Sequence, residues 1–148
     1  DLEEYYAFGN QKVTISDEFD EVSRGEVYQL LMACRKEEYA QVLQNTQEAK
    51  ITSWWDRAVD IIPYSGGKGA GIGKILEYYG FDKAEAVIDR SQAMAFGDGN
   101  NDIEMFQAVD MGVAMENASD DLKAVAADTC DHVAEDGVYR YCVKHSLI

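Results

Sequence analysis

The spacing of hydrophobic residues differs on the two sides of Pro63, the single proline of the chain. Before it, short apolar runs alternate with good helix formers, which favours a small mixed α+β layer. Strands are predicted at Val27–Met32, Ala49–Trp54 and Ala58–Ile62, and a helix at Lys36–Leu43. Val27–Met32 is apolar enough to predict a buried strand.

After Pro63, strands and amphipathic helices alternate. Apolar residues at Ile72, Ile75, Leu76 and Tyr79 follow the i, i+3, i+4, i+7 spacing of a helix over Gly69–Tyr79, which Gly80 ends. The later predicted strands are Gln92–Phe96, Met111–Met115 and Asp128–Cys130; the later predicted helices are Asn101–Val109, one from a Ser119 cap through Ala127, and Gly137–Lys144. This order predicts an α/β fold, a parallel sheet with helices on both faces.

Composition narrows the classes of function. The 148 residues carry a formal net charge of -15, which argues against nucleic acid and against anionic membranes as partners. No apolar run approaches the ~20 residues that cross a bilayer, and the acidic, aromatic start at Asp1–Tyr6 predicts no secretory signal. Three cysteines without a C-x-x-C motif favour reduced thiols and a cytoplasmic location over disulfides or a zinc site.

The strongest chemical signal is the segment Phe96–Asp102, FGDGNND, which follows a predicted strand and opens a predicted helix. Ligands in open parallel sheets lie beyond the carboxyl ends of strands, where Asp98 is expected. Asp98 and Asp102 are four residues apart, so a helix beginning near Asn100 would put both carboxylates on one face. Such a pair repels unless a cation intervenes, and oxygen ligands suit Mg²⁺. The alternative is an ordinary G-D-G turn with Asp102 as a first-turn acid.

A second signal is Lys68 within Gly66–Gly69, just before a predicted helix. A cation is unfavourable at a helix amino end, unless an anion such as phosphate is bound there. The alternative is a flexible glycine loop with a solvated lysine. Two known phosphate-binding motifs are excluded: a Walker A loop would need glycine at Lys68 and a hydroxyl residue at Ile75, and G-x-G-x-x-G fails at Lys74.

Taken in order, these segments resemble the carboxy-terminal half of the Cof-type phosphatases of the haloacid dehalogenase (HAD) superfamily. The matching pieces are Asp60–Pro63, Gly67–Gly69, Gly97–Met105, Gly112–Met115, Asn117–Ala118, Ala126–Asp128 and Asp136–Val138. The resemblance implies a partial Rossmannoid core at residues 63–148 and part of an α/β cap at residues 1–62. It also implies a Mg²⁺-dependent phosphatase acting on small phosphomonoesters, such as sugar phosphates, through an aspartyl-phosphate intermediate.

The resemblance further implies residue roles. Lys68 would orient the nucleophilic aspartate and neutralise phosphoryl charge, and Asp98 would coordinate Mg²⁺. Asp102 would support the metal shell through water, and Asn101 would donate a hydrogen bond to the substrate phosphate. Positioning and charge neutralisation are what phosphoryl transfer requires.

The chain departs from the family pattern at the nucleophile. The expected D-x-D-G-T motif is absent, and the nearest segment, Asp17–Asp20, lacks both the glycine and the threonine. We expect a truncated or cleaved chain that is inactive alone and that pairs with the missing amino-terminal half or with a second copy. The alternative is a phosphate-binding or regulatory module that has lost catalysis. A response-regulator receiver domain is disfavoured because Lys68 precedes Asp98, the reverse of the order such domains require.

Overall fold

The chain divides into two compact units, residues 1–65 and 66–148. The structure, a computed structural model, describes residues 6–7, 10, 15–55, 57–80 and 93–148. The boundary predicted from the sequence lay between residues 62 and 63. Assigning the two units as cap and core stays a prediction.

The first unit is built on a three-stranded antiparallel sheet. Its strands are β1 (Leu30–Ala33), β2 (Ala49–Trp55) and β3 (Ala58–Pro63). The α-helices that lie wholly within its described residues are α1 (Phe19–Val22) and α2 (Tyr39–Val42), the latter preceded by a 3-10 turn at Lys36–Glu38. β3 lies between the other two strands, so it is the central strand. The predicted helix at residues 36–43 is therefore a 3-10 turn followed by one short α-helix.

Strand β1 differs from its prediction in both extent and burial. Pairing with β3 begins at Leu30, opposite Ile61, and not at Val27. Leu30, Leu31 and Met32 are 49%, 46% and 39% exposed. The prediction of a buried strand is wrong because β1 lies at the edge of the sheet, and an apolar run alone does not distinguish an edge strand from a central one.

The second unit contains a three-stranded parallel sheet, as predicted. Its strands are β4 (Met94–Gly97), β5 (Met111–Met115) and β6 (Asp128–Cys130), in that spatial order. The helices within its described residues are α3 (Lys68–Tyr78), α4 (Ile103–Gln107), α5 (Asp120–Val125) and α6 (Gly137–Lys144), with 3-10 turns at Asn100–Asp102 and Val133–Glu135. β5, β6 and α6 have their predicted bounds, whereas α4 is shorter than predicted because its first turn is the 3-10 segment.

A continuous core surrounds β5. Its residues Gly112, Val113, Ala114 and Met115 are all buried, although consecutive residues of a strand point to opposite faces. Both faces of the strand are therefore covered, as in other parallel sheets with helices on each side. Phe106 packs so closely on Gly112 that a Cβ there would lie 2.6 Å from the Phe106 ring.

Two predicted helix boundaries are confirmed. Ser119 caps α5, since its Oγ accepts the Leu122 N–H at 3.3 Å. Gly80, just after α3, has a φ of 75°, a conformation that glycine adopts without strain. None of the helices in the described ranges is long and apolar enough to span a bilayer.

Candidate functional site

The turn after β4 is organised around the Asp102 carboxylate. Its Oδ2 accepts the backbone N–H of Asp98 at 2.9 Å and that of Gly99 at 3.2 Å. A Cβ on Gly97 would lie 2.7 Å from the Asp102 Cβ, so only glycine permits this close approach. Asp102 is 3% exposed, which makes it the buried charged residue of the described chain. Its carboxylate thus fixes the backbone on which Asp98 stands.

The second oxygen of the same carboxylate carries an ion pair. Lys68 Nζ contacts Asp102 Oδ1, and the Lys68 side chain remains 49% exposed. Lys68 is the first residue of α3, where the helix dipole disfavours a cation. The buried carboxylate offsets this cost. α3 reaches Asp102 because it packs closely on α4: a Cβ on Gly69 would lie 2.7 Å from the Glu104 carbonyl oxygen.

Asp98 is exposed, in contrast to Asp102. Besides the N–H, two further atoms of Asp98 form hydrogen bonds. Its carbonyl oxygen accepts the Ser119 N–H at 3.0 Å, and its Oδ2 accepts from Asn117 Nδ2 at 3.5 Å. The i, i+4 spacing had suggested two carboxylates converging on one face. In the structure Asp102 lies in a 3-10 turn, is buried and pairs with Lys68, whereas Asp98 is exposed. That the two carboxylates share one cation stays a prediction.

The two asparagines between these acids have different surroundings. Asn101, the predicted phosphate donor, is half-buried against Gly99, where a Cβ would lie 2.8 Å from Asn101 Oδ1. Asn100 binds the start of α5: Ser119 Oγ, at the helix cap, donates to its Oδ1, and its Nδ2 donates to Asp121 in the first turn at 3.4 Å. Asn100 is therefore a structural link, and Asn101 stays the predicted ligand.

Sequence reasoning missed the role of Asn117, in the loop after β5. Besides contacting Asp98, its Oδ1 accepts the Val133 N–H at 3.2 Å, from the loop after β6. Loops at the carboxyl ends of β4, β5 and β6 are thus joined, where ligands bind in open parallel sheets. The Asn117–Ala118 dipeptide was part of the family resemblance, but no local pattern revealed its contacts.

Few of the acidic side chains near this turn are free to hold Mg²⁺. No group of three or more His, Cys, Asp or Glu side chains within the described ranges forms a metal cluster. Mg²⁺, however, is usually held by one or two carboxylates, with water and substrate phosphate completing its shell. The exposed Asp98 carboxylate fits this requirement. Both oxygens of Asp102 already accept from Lys68 and the backbone.

The family model for haloacid dehalogenase-like hydrolases matches residues 2–141. The chain belongs to this family. YkrA of Bacillus subtilis (strain 168) is 37% identical over 119 residues, covering 80% of this chain and 43% of that protein. The 5-amino-6-(5-phospho-D-ribitylamino)uracil phosphatase YitU of the same organism is 39% identical over 87 residues, covering 59% of this chain and 30% of YitU. The resemblance inferred from the motifs is confirmed.

Solved structures agree with this assignment. The HAD subclass IIB sugar phosphatase BT4131 superposes with a TM-score of 0.80 at 30% identity, over 97% of this chain and 53% of that one. BT1666 from Bacteroides thetaiotaomicron gives a TM-score of 0.81 at 28% identity, over 99% and 53% of the two chains. The chain spans about half the length of these structures and less than half of YkrA and YitU.

Proposed function

We propose that this chain forms part of a Mg²⁺-dependent phosphatase that hydrolyses small phosphomonoesters. The observation that carries the proposal is the pairing of Lys68 with buried Asp102, whose other oxygen fixes the turn bearing exposed Asp98. An ammonium and a carboxylate suited to a cation are thereby held at one strand end. Both are preorganised by groups that are themselves hydrogen-bonded, which favours electrostatic catalysis.

The residue roles follow from charge. Asp98 would hold Mg²⁺, which when bound supplies positive charge that neutralises the phosphoryl oxygens. The half-exposed Lys68 has N–H groups left to meet the same phosphate after pairing with Asp102. Asn101 would donate its amide N–H to a phosphate oxygen, and Asp102 would orient Lys68 and support the metal shell through water.

The nucleophile is proposed to come from outside these 148 residues, because no D-x-D-G-T occurs among them. An aspartate of that motif would attack phosphorus and form an aspartyl phosphate, which water then hydrolyses. Lys68 would hold that aspartate by its charge. The residues 1–62 would contribute part of the cap, and the other half of the enzyme, in the same polypeptide or another, would complete the site.

Sugar phosphates or similar phosphorylated metabolites are the proposed substrates. Among the similar proteins, BT4131 is described as a sugar phosphatase and YitU as a phosphatase of a phosphorylated ribitylaminouracil. Both substrate names describe a phosphate on a polyhydroxylated carbon chain. A net charge of -15 agrees with the need for a cation at the site before a phosphate can approach.

The test is phosphatase activity of the full-length protein on p-nitrophenyl phosphate, with and without Mg²⁺. We expect Asp98→Asn to lower kcat by about 100-fold or more, because a ligand's charge is lost. Asp110→Asn, at an exposed acid outside the site, is the matched control. Lys68→Met should be similarly impaired, whereas Lys74→Met, on the same helix, should not.

Unchanged turnover of Asp98→Asn would contradict the metal assignment. Binding of Mg²⁺ and phosphate without any turnover in the full-length protein would instead favour the alternative, a phosphate-binding or regulatory module.

A further inference from the structure

Asn117 is an exposed residue with contacts on both of its amide atoms. Its Nδ2 lies 3.5 Å from Asp98 Oδ2, and its Oδ1 lies 3.2 Å from the Val133 nitrogen. It therefore bridges the loop after β4 to the loop after β6. Asp98 Oδ1, by contrast, has no hydrogen-bond partner among the described residues.

The orientation of the Asn117 amide follows from the chemistry of its neighbours. A backbone N–H can only donate, so the atom that faces Val133 must be the amide oxygen. The NH₂ group consequently faces Asp98, whose ionised carboxylate has no proton and can only accept hydrogen bonds. The two contacts independently require the same orientation of the amide, so its NH₂ group faces Asp98.

The loop that anchors Asn117 is held by hydrogen bonds and by a close approach of its own backbone. His132 Nδ1 accepts the Ala134 N–H at 3.0 Å, and its carbonyl oxygen accepts from Glu135 at 2.9 Å. Asp136 has a φ of 55°, and a Cβ on Gly137 would lie 2.0 Å from the Asp131 carbonyl oxygen. No larger residue fits at Gly137 without moving this loop. The Val133 N–H therefore occupies a defined position.

The fold does not require the Asn117 side chain to hold the Asp98 backbone. The Ser119 N–H already binds the Asp98 carbonyl oxygen, and Asp102 already binds its N–H. What Asn117 adds is restraint of the carboxylate itself. Restraining a metal ligand by hydrogen bonds from neighbouring residues raises metal affinity in other proteins by fixing the ligand's direction.

We propose that Asn117, anchored by the Val133 N–H, is a positioning residue that restrains the Asp98 carboxylate through Oδ2 and leaves Oδ1 available for a divalent cation. The inference rests on the proposed function, since it assigns Asp98 as the cation ligand. It predicts that losing the Asn117 contact weakens cation binding without abolishing it.

The test is calorimetric titration of the full-length protein with Mg²⁺ alone. Asn117→Ala should raise the Mg²⁺ Kd about tenfold, with Asn45→Ala, another exposed asparagine, as control. Val133 opens a 3-10 turn after an extended His132, a position that accepts proline. Val133→Pro removes only the anchoring N–H and should weaken Mg²⁺ binding several-fold, whereas Val133→Ala keeps it and should bind normally.

Activity gives a second, independent readout. A positioning defect raises the Mg²⁺ concentration needed for half-maximal turnover, while kcat at saturating Mg²⁺ stays within about twofold of wild type. A purely structural role would lower thermal stability without this shift. Should Asn117→Ala fail to fold, Val133→Pro tests the same restraint of Asp98 by removing the anchor of Asn117.

The two proposals fail in different ways. If Asp98→Asn loses Mg²⁺ binding but Asn117→Ala and Val133→Pro both match wild type, only the positioning role is overturned. If Asp98→Asn itself binds Mg²⁺ normally, the metal assignment fails and the positioning role fails with it.

Discussion

The two units of this chain bury their apolar residues very differently. In the described part of residues 66–148, ten buried residues form one continuous cluster around β5. Among the side chains of residues 1–65 whose burial the structure describes, which excludes Trp54 and Trp55, the buried hydrophobic ones are Cys34, Ala58 and Val59, and β1 is exposed along its length. The well-packed unit is the one that carries Lys68, Asp98 and Asp102.

This contrast explains where a preorganised site is possible. A charged group can be held at a fixed position only if the surrounding backbone and side chains are themselves fixed. Asp102 meets that condition because it is buried beside the core and binds two backbone N–H groups. The first unit offers no comparable anchor among its described residues. Substitutions in the two units should therefore differ in their effect on stability, with the largest loss at Asp102 and the smallest on β1.

Of these substitutions, replacement of Asp102 should destabilise the second unit most. Asp102→Ala leaves the N–H groups of Asp98 and Gly99 and the Lys68 ammonium without their acceptor. We expect a loss of about 4 kcal/mol in the free energy of unfolding, measured by urea denaturation. Asp131→Ala is the matched control, because Asp131 is 57% exposed and its contact with Arg140 is 3.9 Å long. Equal losses in both variants would contradict the anchoring role of Asp102.

Shortening a side chain in the core of the second unit should lower the free energy of unfolding somewhat less than Asp102→Ala does. Leu122 on α5 is fully buried, at 0% exposure. Leu122→Ala removes buried methyl groups and leaves a cavity, so we expect a loss of about 3 kcal/mol. The change should lower the urea midpoint. A loss below about 1 kcal/mol would show that the unit around β5 is much looser than its packing indicates.

Tyr141 links the sheet to α6 in a pH-dependent way. Its hydroxyl donates to Asp128 Oδ2 at 3.0 Å. The pKa of Asp128 is lowered below its ordinary value of 3.8, mainly by the hydrogen bond from the Thr129 N–H and secondly by the one from the Tyr141 hydroxyl. Burial, followed by the same hydrogen bond, raises the pKa of Tyr141 above 10.0. Tyr141→Phe should therefore lower the Tm by about 2 °C at neutral pH.

The sign of each shift fixes the pH window. The Asp128 carboxylate stabilises the fold above pH 3.8, and this contribution is lost as the pH falls through its lower folded pKa. The neutral Tyr141 hydroxyl stabilises the fold below pH 10.0, and its contribution is lost as the pH rises through its higher folded pKa. The Tm difference between wild type and Tyr141→Phe should thus shrink at both extremes. A constant difference would contradict the hydrogen bond.

The smallest effect is expected in the first unit. Leu31 on β1 is 46% exposed, so Leu31→Ala removes little buried surface. We expect a loss of about 0.5 kcal/mol in the free energy of unfolding, because only part of the side chain is removed from water and its truncation leaves no cavity. Thermal unfolding of this variant beside Leu122→Ala measures the contrast directly. A loss as large as that of Leu122→Ala would show that β1 is covered in solution.

The sequence was sufficient to predict the bounds of elements that are defined by their own residues and immediate neighbours. β5 and β6 have their predicted bounds because short apolar or β-favouring runs are flanked by clear turns, and Ser119 marked the start of α5. The burial of β1 was not predictable, since it depends on the neighbouring strands and not on the strand's own composition.

For the candidate site, the sequence named residues but not the contacts between them. Lys68, Asp98 and Asp102 were singled out from motifs and Asn101 from the family resemblance, and their roles stay predictions. The burial of Asp102 in a 3-10 turn and its ion pair with Lys68 are details that i, i+4 spacing does not report. Asn117 depends on two loops that are distant in sequence, at Asp98 and Val133, so no local pattern could have revealed it.

The central claim is that a divalent cation binds at Asp98, on the well-packed unit. The most direct measurement is NMR of the ¹⁵N-labelled chain titrated with Mn²⁺, which broadens nearby amide signals as a substitute for Mg²⁺. We predict that broadening begins at residues 98–101 and 117–119 and disappears in Asp98→Asn. Broadening spread evenly over the acidic surface, or unchanged in Asp98→Asn, would contradict the claim.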